Sequence, residues 1–256
     1  MTPIYQLAYE VRPHEAGYME RARPAALLNY LQDAAFGHAA ELGVSVFDLF
    51  PKGLTWVLSR YHIVIDRYPL VGEKVAVRTW IPARHGHFFP REFEITDDEG
   101  NVLLCATTSW LLLDLKTKRP VPDDGSIDAL PVLERRAVVD DFDPLPELVE
   151  QEGQSRFTVR LSDVDVNRHV NHVAYIQWAL ESVPNAASAN RSPVRIEASY
   201  LGEAHYGDSV IARIGRSNDR RSYVHQLIGE KDGRELTRLR TAWEPVRAPL
   251  IPYGAP

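Results

Sequence analysis

The chain of 256 residues has a single cysteine, Cys105, set in the apolar run VLLCATTSW. One thiol rules out an intrachain disulfide framework and a cysteine-based zinc site, and it fits a reducing compartment. Nowhere do about 18 apolar residues follow one another unbroken, so no membrane-spanning helix is expected. The opening MTPIYQLAYEVR lacks a basic stretch followed by an apolar one, and the expected location is the cytoplasm. Positive charge is not in excess. Against 29 Lys and Arg stand 35 Asp and Glu, a net charge of −6, which disfavours nucleic acid as a partner. No G-x-S-x-G elbow occurs, so an ordinary serine hydrolase lacks support. Nor is there a G-x-G-x-x-G or phosphate-loop pattern, and no nucleotide cofactor is implied.

What is present is a globular composition, 45% hydrophobic and 25% charged, with enough length for a proper core. Residues 120–153, PVPDDGSIDALPVLERRAVVDDFDPLPELVEQEG, are rich in proline and acid and lack periodicity. They read as a linker or surface crossing. On either side the same elements recur in the same order. YEVRPHEAGYMERARPAALLNYLQDAA is echoed by FTVRLSDVDVNRHVNHVAYIQWALESV, and RYPLVGEKVAVRTWI by YLGEAHYGDSVIARI. EFEITDDEGNVLLCATTSW is echoed by HQLIGEKDGRELTRLRTAW. Fixed-order similarity marks an internal duplication, so the expected units are residues 1–119, the linker 120–153, and residues 154–256.

Each repeat reads as a short strand, one long helix, then several strands. Alternation supports the strands, with Val75, Val77, Thr79 and Ile81 on one face. Turn signals such as DDEGN and EKDG join them as antiparallel neighbours. The first helix is expected from Pro24 to Gly43, the second from Val170 to Val183 before Pro184. The run VAYIQWAL within the second is broken only by Gln177. A helix apolar on almost all sides must be buried on almost all sides, and a curved antiparallel sheet wrapped around it would do that. The expected class is α+β, with one helix per sheet.

Asp163, Asp165, Asn167 and His169 precede that second helix at alternate positions. In an extended approach, a spacing of two puts Asp165, Asn167 and His169 on one side of the chain. The free N–H groups of the helix start, around Val170 to His172, lie beside them. A carboxylate, an amide, an imidazole and an oxyanion-binding terminus are parts that acyl transfer or hydrolysis needs. The plainer alternative is an Asx cap and a structural histidine. A metal site on Asp165, His169 and His172 is a third reading. In the duplication Asp165, Asn167 and His169 face Gly17, Met19 and Arg21. A requirement of the fold alone should recur in both copies, so presence in one copy favours function and one active centre per chain.

The run DVDVNRHVNHVAYIQWALES resembles the signature of the acyl-acyl-carrier-protein thioesterases, and so do LLNYLQDAA and LTWVLSRYHIVIDRYPLVGEKVAVRTWI in the first half. The resemblance spans roughly Val11 to Trp243, excluding the linker. It implies a tandem (double) hot-dog fold, two antiparallel sheets each wrapped around a long helix. It also implies hydrolysis of the thioester of a fatty acyl-acyl carrier protein. No cofactor or metal is expected. The family's catalytic residues fall on Asp165, Asn167 and His169, and on Glu203 in YLGEAHYGDSV. Plant members carry cysteine where this chain has Ala204, so a cysteine nucleophile is not expected, and Cys105 is expected in the core. Where the family has a second asparagine this chain has His172, read as a tolerated surface or supporting change. With no protein nucleophile, water must attack, with Glu203 as general base or Asp165 in its place. Trp56, Leu28 and Phe36 are candidates for the acyl slot, or plain core. Lys116, Lys118 and Arg119, and separately Arg220 and Arg221, could dock an acidic carrier protein or be ordinary solvated charge. An acyl-coenzyme A thioesterase and a non-catalytic acyl-binding module are the alternatives, and a homodimer is open.

Overall fold

The computed structural model describes residues 3–245 apart from 18, 84–87, 122–129, 186–189 and 219, and among them ten strands form the sheet. The first half contributes β1 (Ile4–Glu10), α1 (Pro24–Glu41), a single turn α2 (Val46–Leu49), β2 (Leu54–Ile65), β3 (Lys74–Trp80), β4 (Phe89–Asp97) and β5 (Val102–Asp114). The second contributes β6 (Gly153–Thr158), α3 (His172–Glu181), β7 (Arg191–Tyr200), β8 (Ser209–Arg216), β9 (Ser222–Gly229) and β10 (Glu235–Pro245).

Strand order is β1-β3-β4-β5-β2 in one half and β6-β8-β9-β10-β7 in the other, the same topology twice. The two curved sheets join edge to edge, because β2 pairs antiparallel with β7 from Arg60–Ser199 to Val64–Arg195. Each sheet wraps its own helix, and together they run on as one open ten-stranded sheet.

Alternation decides what faces the helices. In β4 Phe93 and Ile95 are 2% and 0% exposed and belong to the core. In β5 Leu104 and Ala106 point inward, which turns the intervening Cys105 to the outer face. There it is half-buried beside Glu94 rather than in the core, and burial pushes its thiol up. α1 begins with Pro24 in its first turn, where the missing N–H costs nothing. It stops at Gly43, whose positive φ of 72° suits a residue without a side chain. α3 starts at His172 rather than Val170, because Asn171 is its cap and accepts the Val173 N–H at 2.9 Å. Gln177 and the terminal Glu181 are its exposed positions, while Val173, Ala174, Tyr175, Ile176, Trp178 and Ala179 are buried. Full burial of side chains such as Leu27, Leu31 and Ile176, all at 0–1% exposure, contributes roughly 1.5–3 kcal/mol each.

The described part of the segment between the halves has neither helix nor strand from Leu130 to Glu152; Leu130 lines the cleft described below, and the stretch from Arg135 to Asp140 crosses the outer sheet face as a strap. Outward-facing acids of β4 hold it. Glu92, fully buried, accepts Arg136 Nε and the Ala137 N–H, both at 2.8 Å. Glu94 accepts Arg135, whose carbonyl takes the Trp80 indole N–H at 2.7 Å. Further along, Asp140 meets His62 Nδ1 of β2 at 2.6 Å.

Candidate active site

The loop before α3 is not extended. A bridge between Val164 and Val170 closes it, the Asp165 N–H donates to the His169 carbonyl, and the Arg168 N–H donates to the Asp165 carbonyl, each at 2.9 Å. Arg168 takes φ 65° to complete the turn. The Asn167 N–H donates to Asp165 Oδ1 at 2.8 Å. Compactness rather than alternate spacing is what gathers Asp165, Asn167 and His169, and all three line one cleft.

The first half builds the same loop from other residues. A bridge joins Ala16 and Ala22, the Gly17 N–H donates to the Arg21 carbonyl at 2.9 Å, and the Glu20 N–H to the Gly17 carbonyl at 3.0 Å. Glu20 takes φ 58° where Arg168 takes 65°. Backbone geometry therefore recurs while the polar side chains do not, so the carboxylate, amide and imidazole are not what the turn requires.

Opposite the loop lies the segment between β7 and β8. The Leu201 and Gly202 N–H groups donate to the Leu236 carbonyl at 2.9 and 3.0 Å. The Ala204 N–H donates to the Tyr175 hydroxyl and the Val170 N–H to the Ala204 carbonyl, both at 2.9 Å. Arg234 donates to the Glu203 carbonyl at 2.9 Å. So held, Glu203 Oε2 lies 3.3 Å from His169 Nε2, with side chains 42% and 25% exposed. All four expected site residues thus border the same space.

Of the helix-start amides expected to be free, two are taken: the Val170 N–H as above, and the Asn171 N–H by the Asp163 carbonyl at 2.8 Å. The Val173 N–H is capped by Asn171. Asp165 is pushed above the usual carboxylate range by burial, an effect that the Asn167 N–H and nearby His169 partly offset. Asn167 Oδ1 is buried and has no donor, an acceptor that a group entering the cleft would satisfy.

The cleft has a volume of about 840 Å³ and runs from this loop into the first half, between α1 and the sheet. Trp56 and Phe36 line it, as do Phe89 and Trp110, whereas Leu28, 1% exposed, is core and does not. His172 is not a surface change. Its ring forms part of the cleft wall, 5.9 Å from Tyr61 and 6.1 Å from Tyr200, and burial lowers it to about 4. Its partners at i+3 and i+4, Tyr175 and Ile176, are apolar core residues, and that spacing could have placed it inward. Asn171 escaped the sequence reading as well: its Nδ2 donates to Gln32 Oε1 of α1 at 2.9 Å, tying the two helices together across the cleft.

One cation in the cleft wall was also unforeseen. Arg91 is 9% exposed, and its guanidinium meets His38 Nδ1 at 2.9 Å and Thr79 Oγ1 at 3.3 Å. Burial lowers it to about 10. Among the described residues no carboxylate pairs with it. The suggested metal set of Asp165, His169 and His172 is not brought together. Two other groups have ligand atoms within 4.8 Å of one another: His169, Glu203 and His205, and His62, Asp140 and Glu197.

Compared with known families, residues 3–125 match the acyl-ACP thioesterase N-terminal domain and residues 147–245 match the acyl-ACP thioesterase C-terminal domain. The chain belongs to the acyl-ACP thioesterase family. Among solved structures, the 12:0-ACP thioesterase of Umbellularia californica superposes with a TM-score of 0.86 at 26% identity, covering 96% of this chain and 98% of that one. An acyl-ACP thioesterase of Bacteroides thetaiotaomicron gives 0.84 at 25% identity, covering 94% and 98%. These matches establish the double hot-dog fold. The palmitoyl-acyl carrier protein thioesterase of Cuphea hookeriana, a chloroplastic protein, is 28% identical over 264 residues. This chain covers 62% of that relative's length and 64% of a Cuphea viscosissima acyl-ACP hydrolase, so it spans under two thirds of these plant family members. No helix among the described residues is long and apolar enough to cross a membrane.

Proposed function

We propose that the chain hydrolyses the thioester of fatty acyl-acyl carrier protein, releasing the free fatty acid and the carrier's thiol. One observation carries the reading. In a chain that matches both domains of the acyl-ACP thioesterase family, a carboxylate, amide and imidazole face Glu203 at the mouth of an apolar cleft. Its relatives are named for acyl carrier protein thioesters. With such a substrate the enzyme would work beside its carrier in the cytoplasm.

The acyl chain lies in the cleft against Trp56, Phe89 and Trp110, and its thioester carbonyl stops between the loop and Glu203. Water attacks the carbonyl carbon as Glu203 takes its proton, a step for which a positioned base contributes about 10²–10⁴-fold. The developing oxyanion is met by Asn167 and His169; losing one such donor costs about 10²–10³. Collapse of the tetrahedral intermediate breaks the C–S bond, and the thiolate recovers the proton through His169, within reach of Glu203. Asp165, kept partly desolvated, orients the loop and is the alternative base.

The test is thiol release by purified protein from acyl carrier protein and acyl-coenzyme A bearing the same C8 to C18 chains. Preference for the carrier, and a loss of at least about 10²-fold in Glu203→Gln, are expected. Equal turnover of both thioesters moves the substrate class to coenzyme A. Binding without hydrolysis makes the chain an acyl-binding module.

A further inference from the structure

We propose that His169, Glu203 and His205 form a three-ligand site for a divalent transition cation of the Zn²⁺ type, and that its occupation stops hydrolysis. The second half of that statement rests on the function proposed above; the first does not.

The donor atoms already converge, each within 4.8 Å of the others. His169 Nε2 and Glu203 Oε2 are 3.3 Å apart. That matches the ligand–ligand edge of a tetrahedral zinc site, about 3.3–3.5 Å for bonds of about 2.0–2.1 Å. The His205 ring meets His169 edge-to-face, centroids 4.9 Å apart and planes at 77°, so the two imidazoles are close neighbours. His205 sits on a short loop tied down by Asp208. The His205 backbone N–H donates to Asp208 Oδ2 at 2.8 Å, which fixes the loop, while its ring Nδ1 lies 3.8 Å from the same oxygen, beyond hydrogen-bond distance. Among the described residues no hydrogen bond occupies its ring nitrogens, so one is available to the ion. With His205 58% exposed, its side chain can swing the last ångström and an ion can enter from solvent. Two histidines and one glutamate are a donor set suited to zinc, with the fourth position left to water.

Nearby charge favours this cluster over the other candidate. Among the described residues, the only ion pair of the Glu203 carboxylate is with His169; the Arg234 guanidinium reaches the Glu203 carbonyl and Asp232 instead. In the His62, Asp140 and Glu197 group, Arg240 Nη2 holds Glu197 at 2.6 Å, and Arg195 lies 3.3 Å from His62 Nε2. Two guanidiniums repel a cation, so that group anchors the outer strap rather than a metal.

An ion at the first cluster takes the imidazole nitrogen and the carboxylate oxygen that the hydrolysis uses. His205 serves the ion alone. The experiment uses tag-free protein and ZnCl₂, read by calorimetric titration and by acyl-carrier-protein hydrolysis. One equivalent of zinc should bind, and micromolar zinc should inhibit reversibly, with a chelator restoring turnover. His205→Ala should keep turnover within a few-fold while raising the half-inhibiting zinc concentration at least tenfold. Equal zinc sensitivity in the variant, or no stoichiometric binding to wild type, overturns the site. Binding that leaves turnover untouched overturns the inhibition. A protein that binds one zinc through His205 yet hydrolyses no thioester upholds the site and refutes the function proposed above.

Discussion

Asn171 offers a quantitative handle on how the cleft is held. Its Oδ1 caps α3 through the Val173 N–H, and its Nδ2 ties α1 through Gln32, both at 2.9 Å. Replacing an asparagine cap with alanine costs about 1 kcal/mol. Loss of the second, partly buried bond costs about 1 kcal/mol more. Asn171→Ala should therefore destabilise by about 2 kcal/mol. For a chain of this size each kcal/mol lowers Tm by roughly 2–4 °C, so a drop of about 4–8 °C is expected. Asn171→Asp keeps the cap oxygen, places negative charge at the helix start, and lets Gln32 turn its amide to donate; it should melt close to wild type. Gln32→Ala should lose about 1 kcal/mol, and the double variant no more than Asn171→Ala, a coupling of about 1 kcal/mol. Thermal unfolding followed by circular dichroism measures all four proteins. If Asn171→Asp melts as low as Asn171→Ala, capping is not the stabilising interaction. If the two alanine substitutions add, the bond between helices contributes nothing.

Asp165→Asn should raise thermal stability at pH 7 while cutting thioester hydrolysis about 10²-fold or more. Burial raises the folded-state carboxyl, so its favourable contribution is present below the ordinary carboxylate value and lost as pH rises through the raised one. The gain in the amide variant should accordingly shrink when melting is repeated in acid. Glu92→Ala strips a fully buried acceptor from Thr107, Arg136 and the Ala137 N–H. A loss of about 3 kcal/mol is expected, with faster proteolysis of the strap near Arg135 and Arg136; unchanged cleavage would mean the strap is held elsewhere. Trp56→Ala empties the far part of the cleft and should move the preferred acyl chain to greater length in a C8 to C18 series, whereas an unmoved profile would take Trp56 out of the acyl path.

Much of this was legible in the residues because it rests on short-range rules. The alternation of β3, the proline and glycine that bracket α1 and the solitary Gln177 of α3 each state a burial pattern that the chain obeys. The duplication was legible too, down to the facing of Asp165, Asn167 and His169 with Gly17, Met19 and Arg21. What was misjudged depends on contacts distant in sequence. Alternate spacing suggested an extended strand at 165–169, but the Val164–Val170 bridge folds it into a turn. Cys105 looked like core because its neighbours are apolar, yet strand parity turns it outward beneath the strap. Neither Asn171–Gln32, 139 positions apart, nor the burial of Arg91 against His38 leaves a mark on any local pattern.

The pairing of β2 with β7 places the centre of a ten-stranded sheet where the two halves of the gene product meet. Were one half to melt alone, the other would be left with a long unpaired strand edge and a stripped helix face, a state that sheets avoid. Duplication thus yields one cooperative unit rather than two beads on a string. Its calorimetric and van't Hoff enthalpies should coincide, and the amides of Arg60 to Val64 should be among the last to exchange with solvent.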